Sequence, residues 1–242
     1  MVEPIHTAAG YADVDYLRQF LEEGVSPTVL DQDGLEPIHH VCVTLTADEA
    51  DADKRITCLN ILVNAGADIN AETRRASTPL SFAASFGHPK FVAAVLNAGA
   101  NVNFHNLTGW TPLHWACRRY SPSVECVELL LKAGAAVNPT TFGVAFLDDG
   151  RTPLDFAIIK GNQRRIYPTL LRAGATHSQD TTPLRSEAYD AYLHKVHAAG
   201  DFRTYERAHL NAIAATFIPK LPLLPPEMIR RVVEYAFHVG DY

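Results

Sequence analysis

The side chains of this sequence that could do chemistry are scattered histidines and paired acids. Three histidines stand two residues after a proline and could act as general bases: His6, His39 and His114. The acid pairs Asp31/Asp33 and Asp148/Asp149 could support hydrolysis only inside an enclosing pocket. The sequence contains no phosphate-binding loop, no Gly-x-Ser-x-Gly elbow and no His-Glu-x-x-His motif. We therefore expect no enzymatic activity and assign no catalytic residue.

The four cysteines are the second candidate for chemistry. None of them is in a Cys-x-x-Cys pair, and no Cys/His set has the close spacing of zinc ligands. The chain opens without the basic and apolar regions of a secretory signal, so reduced thiols are expected. We predict no metal, no cofactor and an intracellular location, in the cytoplasm, the nucleus or both.

Composition narrows the class of protein further. The 242 residues are 47% hydrophobic and carry a formal net charge of −6, which excludes wholesale disorder and nucleic-acid binding by bulk charge. The longest uncharged stretch, residues 91–117, contains four asparagines that a membrane span would strand in hydrocarbon. We therefore expect neither a nucleic-acid partner nor a membrane span.

The elements that position these side chains follow from a repeat. Six prolines, spaced 33, 42, 33, 41 and 30 residues apart, open similar segments: Pro4, Pro37, Pro79, Pro112, Pro153 and Pro183. A glycine follows each of the first five: Gly24, Gly66, Gly99, Gly134 and Gly174. The basic period is 33, and two insertions, near residues 45–54 and 139–147, account for the longer intervals.

The repeat has a recognisable signature. Residues 110–116 read Trp-Thr-Pro-Leu-His-Trp-Ala, and residues 128–138 read Glu-Leu-Leu-Leu-Lys-Ala-Gly-Ala-Ala-Val-Asn. This pattern resembles the ankyrin-repeat family over about residues 3–182. The resemblance implies an all-α ankyrin-repeat solenoid of five repeats, each a helix-turn-helix with a β-hairpin-like finger, and we expect a C-terminal helical cap.

Elementary physics supports the same unit. Proline suits the first turn of a helix, and the preceding Thr can act as the N-cap. Gly99 is placed to end the second helix with a positive φ. Since no single unit can enclose its own apolar face, the units must stack and share one long core.

The repeat also gives a structural interpretation to the chemical candidates. In the ankyrin family the histidine of the signature braces the loop between units by hydrogen bonding, which the resemblance implies for His6, His39 and His114. Cys42 and Cys117 share one repeat position, as do Cys58 and Cys126. We predict that these thiols pack as small hydrophobes facing the inter-helix core.

The resemblance implies that a partner protein binds on a concave face formed by the fingers and first helices. The candidate residues are Leu35, Arg74, Arg75, Ser77, Ser85, Phe86, Leu107, Trp110, Arg118, Arg119, Asp148, Arg151 and Lys160. Trp110 with Arg118 and Arg119 is the central cluster, because Trp and Arg dominate binding hot spots. Two alternatives stay open: Trp110 packs on the adjacent finger, and the arginines are only solvated. Trp115 is expected to be the more buried tryptophan.

The predicted function is non-catalytic recognition of an unidentified protein by a monomeric chain. The alternative from another class is a small-ligand-binding or enzymatic domain, which a deep pocket with perturbed titratable groups would favour.

The two insertions are individual features of this chain. Residues 46–53 are acidic and polar, so we expect a solvated loop between the two helices of the second repeat. The second insertion carries four apolar residues: Phe142, Val144, Phe146 and Leu147. It either contacts a partner or packs back on the array.

The pattern changes after Thr182. Helices are expected at 184–199 and 202–216, and residues 183–219 form a degenerate repeat or a cap. A Pro-rich link and an amphipathic helix follow in residues 220–242. Its opening, Leu-Pro-Pro-Glu at 224–227, is similar to an F-box-like motif, which implies docking to a ubiquitin-ligase scaffold; the alternative is a packed cap. The residues of this second candidate site are Met228, Ile229, Val232, Val233 and Phe237.

Overall fold

Five pairs of helices follow one another in the part of the chain that the structure describes. The computed structural model describes residues 4–43, 49–119, 122–142, 150–159, 164–176, 195–196, 198–217, 225–229 and 231. The first helices of the pairs are α1 (Pro4–Gly10), α3 (Pro37–Val41), α5 (Pro79–Phe86), α7 (Pro112–Arg118) and α9 (Pro153–Ile159). The second helices are α2 (Val14–Glu22), α4 (Glu49–Asn64), α6 (Pro89–Asn97), α8 (Val124–Lys132) and α10 (Tyr167–Arg172). A 3₁₀ turn, Arg164–Ile166, precedes α10, and α11 (Phe202–Phe217) follows the array. The described residues form no β-strand, in agreement with the predicted all-α solenoid.

The helix starts have the predicted residues and backbone angles, although the Thr78 side chain makes no cap hydrogen bond to its helix. Thr78 and Thr111 adopt extended backbone angles, φ −101°, ψ 163° and φ −92°, ψ 166°, and a proline occupies the first helical position after each. Two of the second helices have side-chain caps: Asp13 accepts from the Tyr16 amide before α2, and Ser123 accepts from the Cys126 amide before α8. Each first helix therefore begins at the proline that marks the sequence period.

The second helices end at glycines in the left-handed region. The five repeat glycines have φ between +87° and +101°. At the end of α6 the amide of Gly99 bonds to the carbonyl of Leu96, and the next amide, that of Ala100, reaches back to Val95. The chain then leaves the helix at a fixed angle and enters the next finger.

One continuous apolar core runs from Ile5 to Ala175. The residue after each repeat proline is at most 1% exposed: Ile5, Ile38, Leu80, Leu113 and Leu154. Neighbouring first helices touch, with α5 against α7 and α7 against α9, so every unit completes the core of the next. The four cysteines are free and buried within this core, which confirms the predicted packing role.

The first insertion is not a solvated loop where the structure describes it. Residues 49–53 are the first turns of α4, which extends over 16 residues. Ala52 is 1% exposed, and Arg55 is held by Asp51 at 2.7 Å and by the Val41 carbonyl at 3.2 Å. Acids in a first turn stabilise a helix, and the packing of Ala52 fixes it to the array. Residues 44–48 lie outside the described part.

Beyond the array, α11 matches the second helix predicted after Thr182 within one residue. It lies against α10, where the guanidinium of Arg172 pairs with the Glu206 carboxylate. Residues 195–196 and 198 are helical, and the rest of the helix expected over 184–199 lies outside the described residues, as does the link at 220–224.

Candidate partner-binding face

Extended fingers connect each second helix to the next first helix. They comprise residues 25–36, 67–78, 100–111 and 135–152, the last described at both ends only. In the third finger the Asn106 amide donates to the Trp110 carbonyl at 3.0 Å. Neighbouring fingers join through the Leu107 amide to the Arg75 carbonyl, 3.3 Å, and the Phe142 amide to the Thr108 carbonyl, 3.0 Å. The hairpin-like finger is therefore confirmed, and the fingers stack.

The tip of the third finger is a tight turn. The side-chain oxygen of Asn106 accepts from the amides of Thr108 and Trp110, each at 2.9 Å. Gly109 has φ +76°, and a Cβ there would lie 2.7 Å from the Phe142 ring. The start of the second insertion thus packs on this turn, although Phe142 keeps 51% of its surface exposed. Val144, Phe146 and Leu147 lie outside the described residues.

The three signature histidines hold the fingers in place. His39 Nε2 donates to the Ala71 carbonyl at 2.9 Å, and His114 Nε2 donates to the Arg151 carbonyl at 3.1 Å. His6 Nε2 lies 2.9 Å and 3.1 Å from two carbonyls of the first finger. Burial lowers the pKa of His39, and it lowers the pKa of His114 to about 4. The three imidazoles brace the repeats, as the resemblance implied.

Two repeats use another residue at the histidine position. Ser81 lies 3.2 Å from the Thr78 hydroxyl, and the fully buried Asp155 accepts from the Thr152 amide at 2.8 Å. Both side chains bond close to their own helix start. The position is therefore polar and structural in every repeat of the array.

A ladder of asparagines, which the sequence analysis did not single out, ties consecutive repeats together. Asn70, Asn103 and Asn138 each stand four residues after a repeat glycine. The Asn103 side chain donates to the Gly134 carbonyl at 3.0 Å and accepts from the Ala136 amide at 2.7 Å. Asn70 and Asn138 bond the next repeat in the same way. The spacing itself is the signal that could have revealed them.

Trp110 is more buried than Trp115, which is the reverse of the prediction. Trp110 is 5% exposed and packs against Phe156, with ring centroids 4.3 Å apart, and against Trp115 at 4.7 Å. Trp115 is only half-buried. The cause is the neighbouring first helix α9, whose Phe156 covers Trp110. This burial supports the packing alternative for Trp110 and leaves little of its surface for a partner.

A shallow depression of about 240 Å³ lies beside Trp115. Its walls are Ser85 of α5, Trp115 and Arg118 of α7, and Arg119 just after α7. The Arg118 guanidinium stands 5.1 Å from the centre of the Trp110 ring, a cation–π distance. Trp110 thus supports Arg118 from beneath. The predicted cluster of one tryptophan and two arginines is present, but Trp115 takes the place of Trp110 in the wall of the depression.

The family is now decided by comparison. The family model for ankyrin repeats (3 copies) matches residues 5–103 and 47–141, more than half of the chain. The chain belongs to the ankyrin-repeat family. Members of this family are typically non-catalytic protein–protein interaction modules, so the array is an interaction scaffold by family.

Among known proteins the chain is similar to "Ankyrin repeat, SAM and basic leucine zipper domain-containing protein 1" of several mammals. The elephant Loxodonta africana protein is 32% identical over 90 residues, 37% of this chain and 18% of the relative. The Dasypus novemcinctus protein is 31% identical over 93 residues, which are 38% of this chain and 18% of the relative. The Bos taurus protein is 33% identical over 86 residues, which are 36% of this chain and 17% of the relative. The match therefore spans less than a fifth of these relatives' length.

The remaining candidates on the ankyrin array divide by exposure. Arg74, Arg75, Leu107 and Arg118 are exposed, with Leu107 at 68%. Five others are half-buried: Leu35, Ser77, Phe86, Arg119 and Arg151. Arg74 crosses the turn of the first finger, where a Cβ on Gly34 would lie 2.7 Å from its Cγ. Asp148 and Lys160 lie outside the described residues.

The second candidate site is described only in part. Met228 is 52% exposed, whereas Ile229 is 2% exposed, which favours a packing role for Ile229. Val232, Val233 and Phe237 lie outside the described residues.

Two expectations about other kinds of site concern the described part of the ankyrin chain. No group of three or more His, Cys, Asp or Glu side chains there could hold a metal ion. Likewise, no helix in this part has the length and apolar character needed to cross a membrane.

Proposed function

We propose that this chain is a non-catalytic module that binds a partner protein on the face formed by its fingers and first helices. The observation that carries the proposal is the depression between α5 and α7, where Trp115 and two arginines border a hollow on the first helices. Leu107, on the adjacent finger, adds an exposed apolar side chain. Tryptophan and arginine beside a hollow are the usual composition of a binding hot spot.

The support beneath this face favours binding, because little order has to be created when a partner arrives. Arg118 already rests on the Trp110 ring, and Trp110 is fixed by Phe156 and Trp115. The histidine braces and the asparagine ladder hold the fingers in one register. Preorganised side chains lose less entropy on binding than mobile ones.

The test compares partners captured by three forms of the full chain. The face variant combines Leu107→Asp with Arg118→Glu, and the matched control is Lys132→Glu, the same charge reversal on the second helix α8, where Lys132 is exposed. We expect the face variant to lose the partners that wild type and the control retain. Equal recovery by all three forms contradicts the proposal.

Docking of residues 220–242 to a ubiquitin-ligase scaffold stays a prediction, as do a monomeric state and an intracellular location. Recovery of a cullin-type complex by the full chain but not by a chain ending at Pro219 would support the adaptor role. Recovery by neither would contradict it. Buried Ile229 favours the packed cap.

A further inference from the structure

The segment from residue 73 to residue 124 carries a charge opposite to that of the whole chain. Residues 73–124 contain five basic side chains and no aspartate or glutamate, although the formal net charge of the chain is −6. One of the five, Lys90, is already paired with Asp53 at 2.5 Å and lies 3.6 Å from Glu49. The other four are two arginine pairs at residues 74–75 and 118–119. This part of the molecule therefore has a positive potential centred on arginines.

The depression beside Trp115 lies within this positive region. Arg119 reaches it by crossing Gly87, where an added Cβ would lie 2.6 Å from Nη1. Among the described residues, no carboxylate stands within 4.0 Å of the Arg118 guanidinium, whose recorded contact is the Trp110 ring. An exposed guanidinium held in place without a counter-charge is ready for one from outside.

The polar groups around the depression are almost all donors. Arginine and tryptophan side chains donate hydrogen bonds and accept none, and only the Ser85 hydroxyl can do both. The Trp115 Nε1–H is covered from solvent and has no acceptor among the described residues. A covered donor without an acceptor costs free energy, which a nearby acceptor would relieve. The occupant must therefore bring acceptor oxygens and negative charge.

We propose that this depression receives an aspartate or glutamate carboxylate from an acidic segment of the partner protein; the proposal rests on the function proposed above and names the chemistry of its ligand. The two guanidiniums bind the carboxylate oxygens, and the exposed part of the Trp115 ring packs on the methylene groups next to them. A volume of about 240 Å³ accommodates one such side chain.

The geometry favours an acidic peptide over a nucleic acid. Base stacking needs an open aromatic face, but Trp110 is 5% exposed beneath Arg118, and Trp115 is half-buried. A long polyanion would also meet the acidic remainder of a chain of net charge −6 beyond residues 73–124.

The experiment selects peptides from a random display library on the purified full chain. An enriched peptide is then synthesised twice, once as selected and once with every Asp and Glu replaced by Asn and Gln. Binding of both is measured by fluorescence anisotropy to wild type, Arg118→Gln, Arg119→Gln and Lys132→Gln. Lys132→Gln removes the same charge from α8 and is the matched control.

We expect wild type and Lys132→Gln to bind the acidic peptide about tenfold or more tightly than its amide form. Arg118→Gln and Arg119→Gln should each reduce this preference, because one of the two guanidiniums that bind the carboxylate has been removed. Selection that yields no acid-dependent peptide overturns the inference, as does undiminished binding of the acidic peptide by both arginine variants. Displacement of the peptide by an equal concentration of a single-stranded oligonucleotide also overturns it.

These failures are distinct from failure of the proposed function. A peptide may bind without acidic residues and still lose binding to the Leu107→Asp/Arg118→Glu variant. That result contradicts the proposed carboxylate ligand but supports the proposed partner-binding face. Partner capture that no face substitution changes contradicts the face itself.

Discussion

The imidazole of His114 joins two repeats by donating from Nε2 to the backbone carbonyl of Arg151, 37 residues along the chain. Its other nitrogen, Nδ1, accepts from the Thr111 amide at 3.1 Å. One fully buried side chain thus fixes the start of α7 and the end of the fourth finger, next to the proposed carboxylate site. The proposed face therefore depends on buried braces such as His114.

Replacing His114 with alanine should lower the free energy of unfolding by about 2–3 kcal/mol, because two buried hydrogen bonds and the ring packing are lost together. Denaturant unfolding followed by circular dichroism measures this loss. His105→Ala is the control, since His105 is exposed, and should cost about 0.5 kcal/mol or less. Equal losses in the two variants would contradict the brace.

The depressed pKa of His114 should make the protein less stable in acid. The pKa of His114 is about 4 in the folded protein and 6.5 in the unfolded chain. Between pH 6.5 and 4, His114 is therefore protonated in the unfolded chain but not in the folded protein. The free energy of unfolding should therefore fall as the pH drops from 6.5 towards 4, by about 3 kcal/mol in total for this residue. His39, whose pKa is also lowered, adds in the same direction.

Denaturant unfolding of wild type and His114→Gln over that pH range measures the effect. The variant is less stable at neutral pH, but its stability should decline less steeply as the pH falls. Parallel curves for the two proteins would show that His114 does not titrate as its burial requires.

The sequence period predicts the array well because each marker acts locally. Proline after Thr starts a helix, and glycine ends one, whatever the partner helix is. The buried thiols follow from their place in that period, and the histidine braces are what the family resemblance implies. The period does not predict which of Trp110 and Trp115 is buried. Phe156, which lies 46 residues after Trp110, covers the Trp110 indole.

The first insertion shows the same limit. Residues 46–53 are polar enough to be a loop, yet residues 49–53 are helical. Their contacts reach distant parts of the sequence: Asp53 pairs with Lys90 on α6, and Asp51 holds Arg55, which donates to the Val41 carbonyl. Composition contains no information about such contacts. It also does not show that Arg119 lies beside Gly87, where it completes the proposed site.

Removing one rung of the asparagine ladder should weaken the coupling between repeats. Asn103→Ala loses two hydrogen bonds to the loop at 134–136, and we expect about 1–2 kcal/mol less stability. Asn97→Ala, at the exposed end of α6, is the matched control and should change little. Amide hydrogen exchange should also rise at Ala136, whose amide loses its acceptor. Unchanged exchange there would contradict the ladder.

The four cysteines should resist thiol reagents in the folded protein. Each is at most 1% exposed, and burial raises the pKa of Cys58 and Cys126 to about 11 and that of Cys42 and Cys117 further. The thiolate is the reactive form, so at about pH 8 both access and ionisation oppose the reaction. An aromatic disulfide reagent should label no thiol until denaturant is added, after which all four react. Ala133→Cys, at an exposed position after α8, should react at once and calibrate the rate. Labelling of a native cysteine as fast as Cys introduced at that position would mean that the core opens without global unfolding.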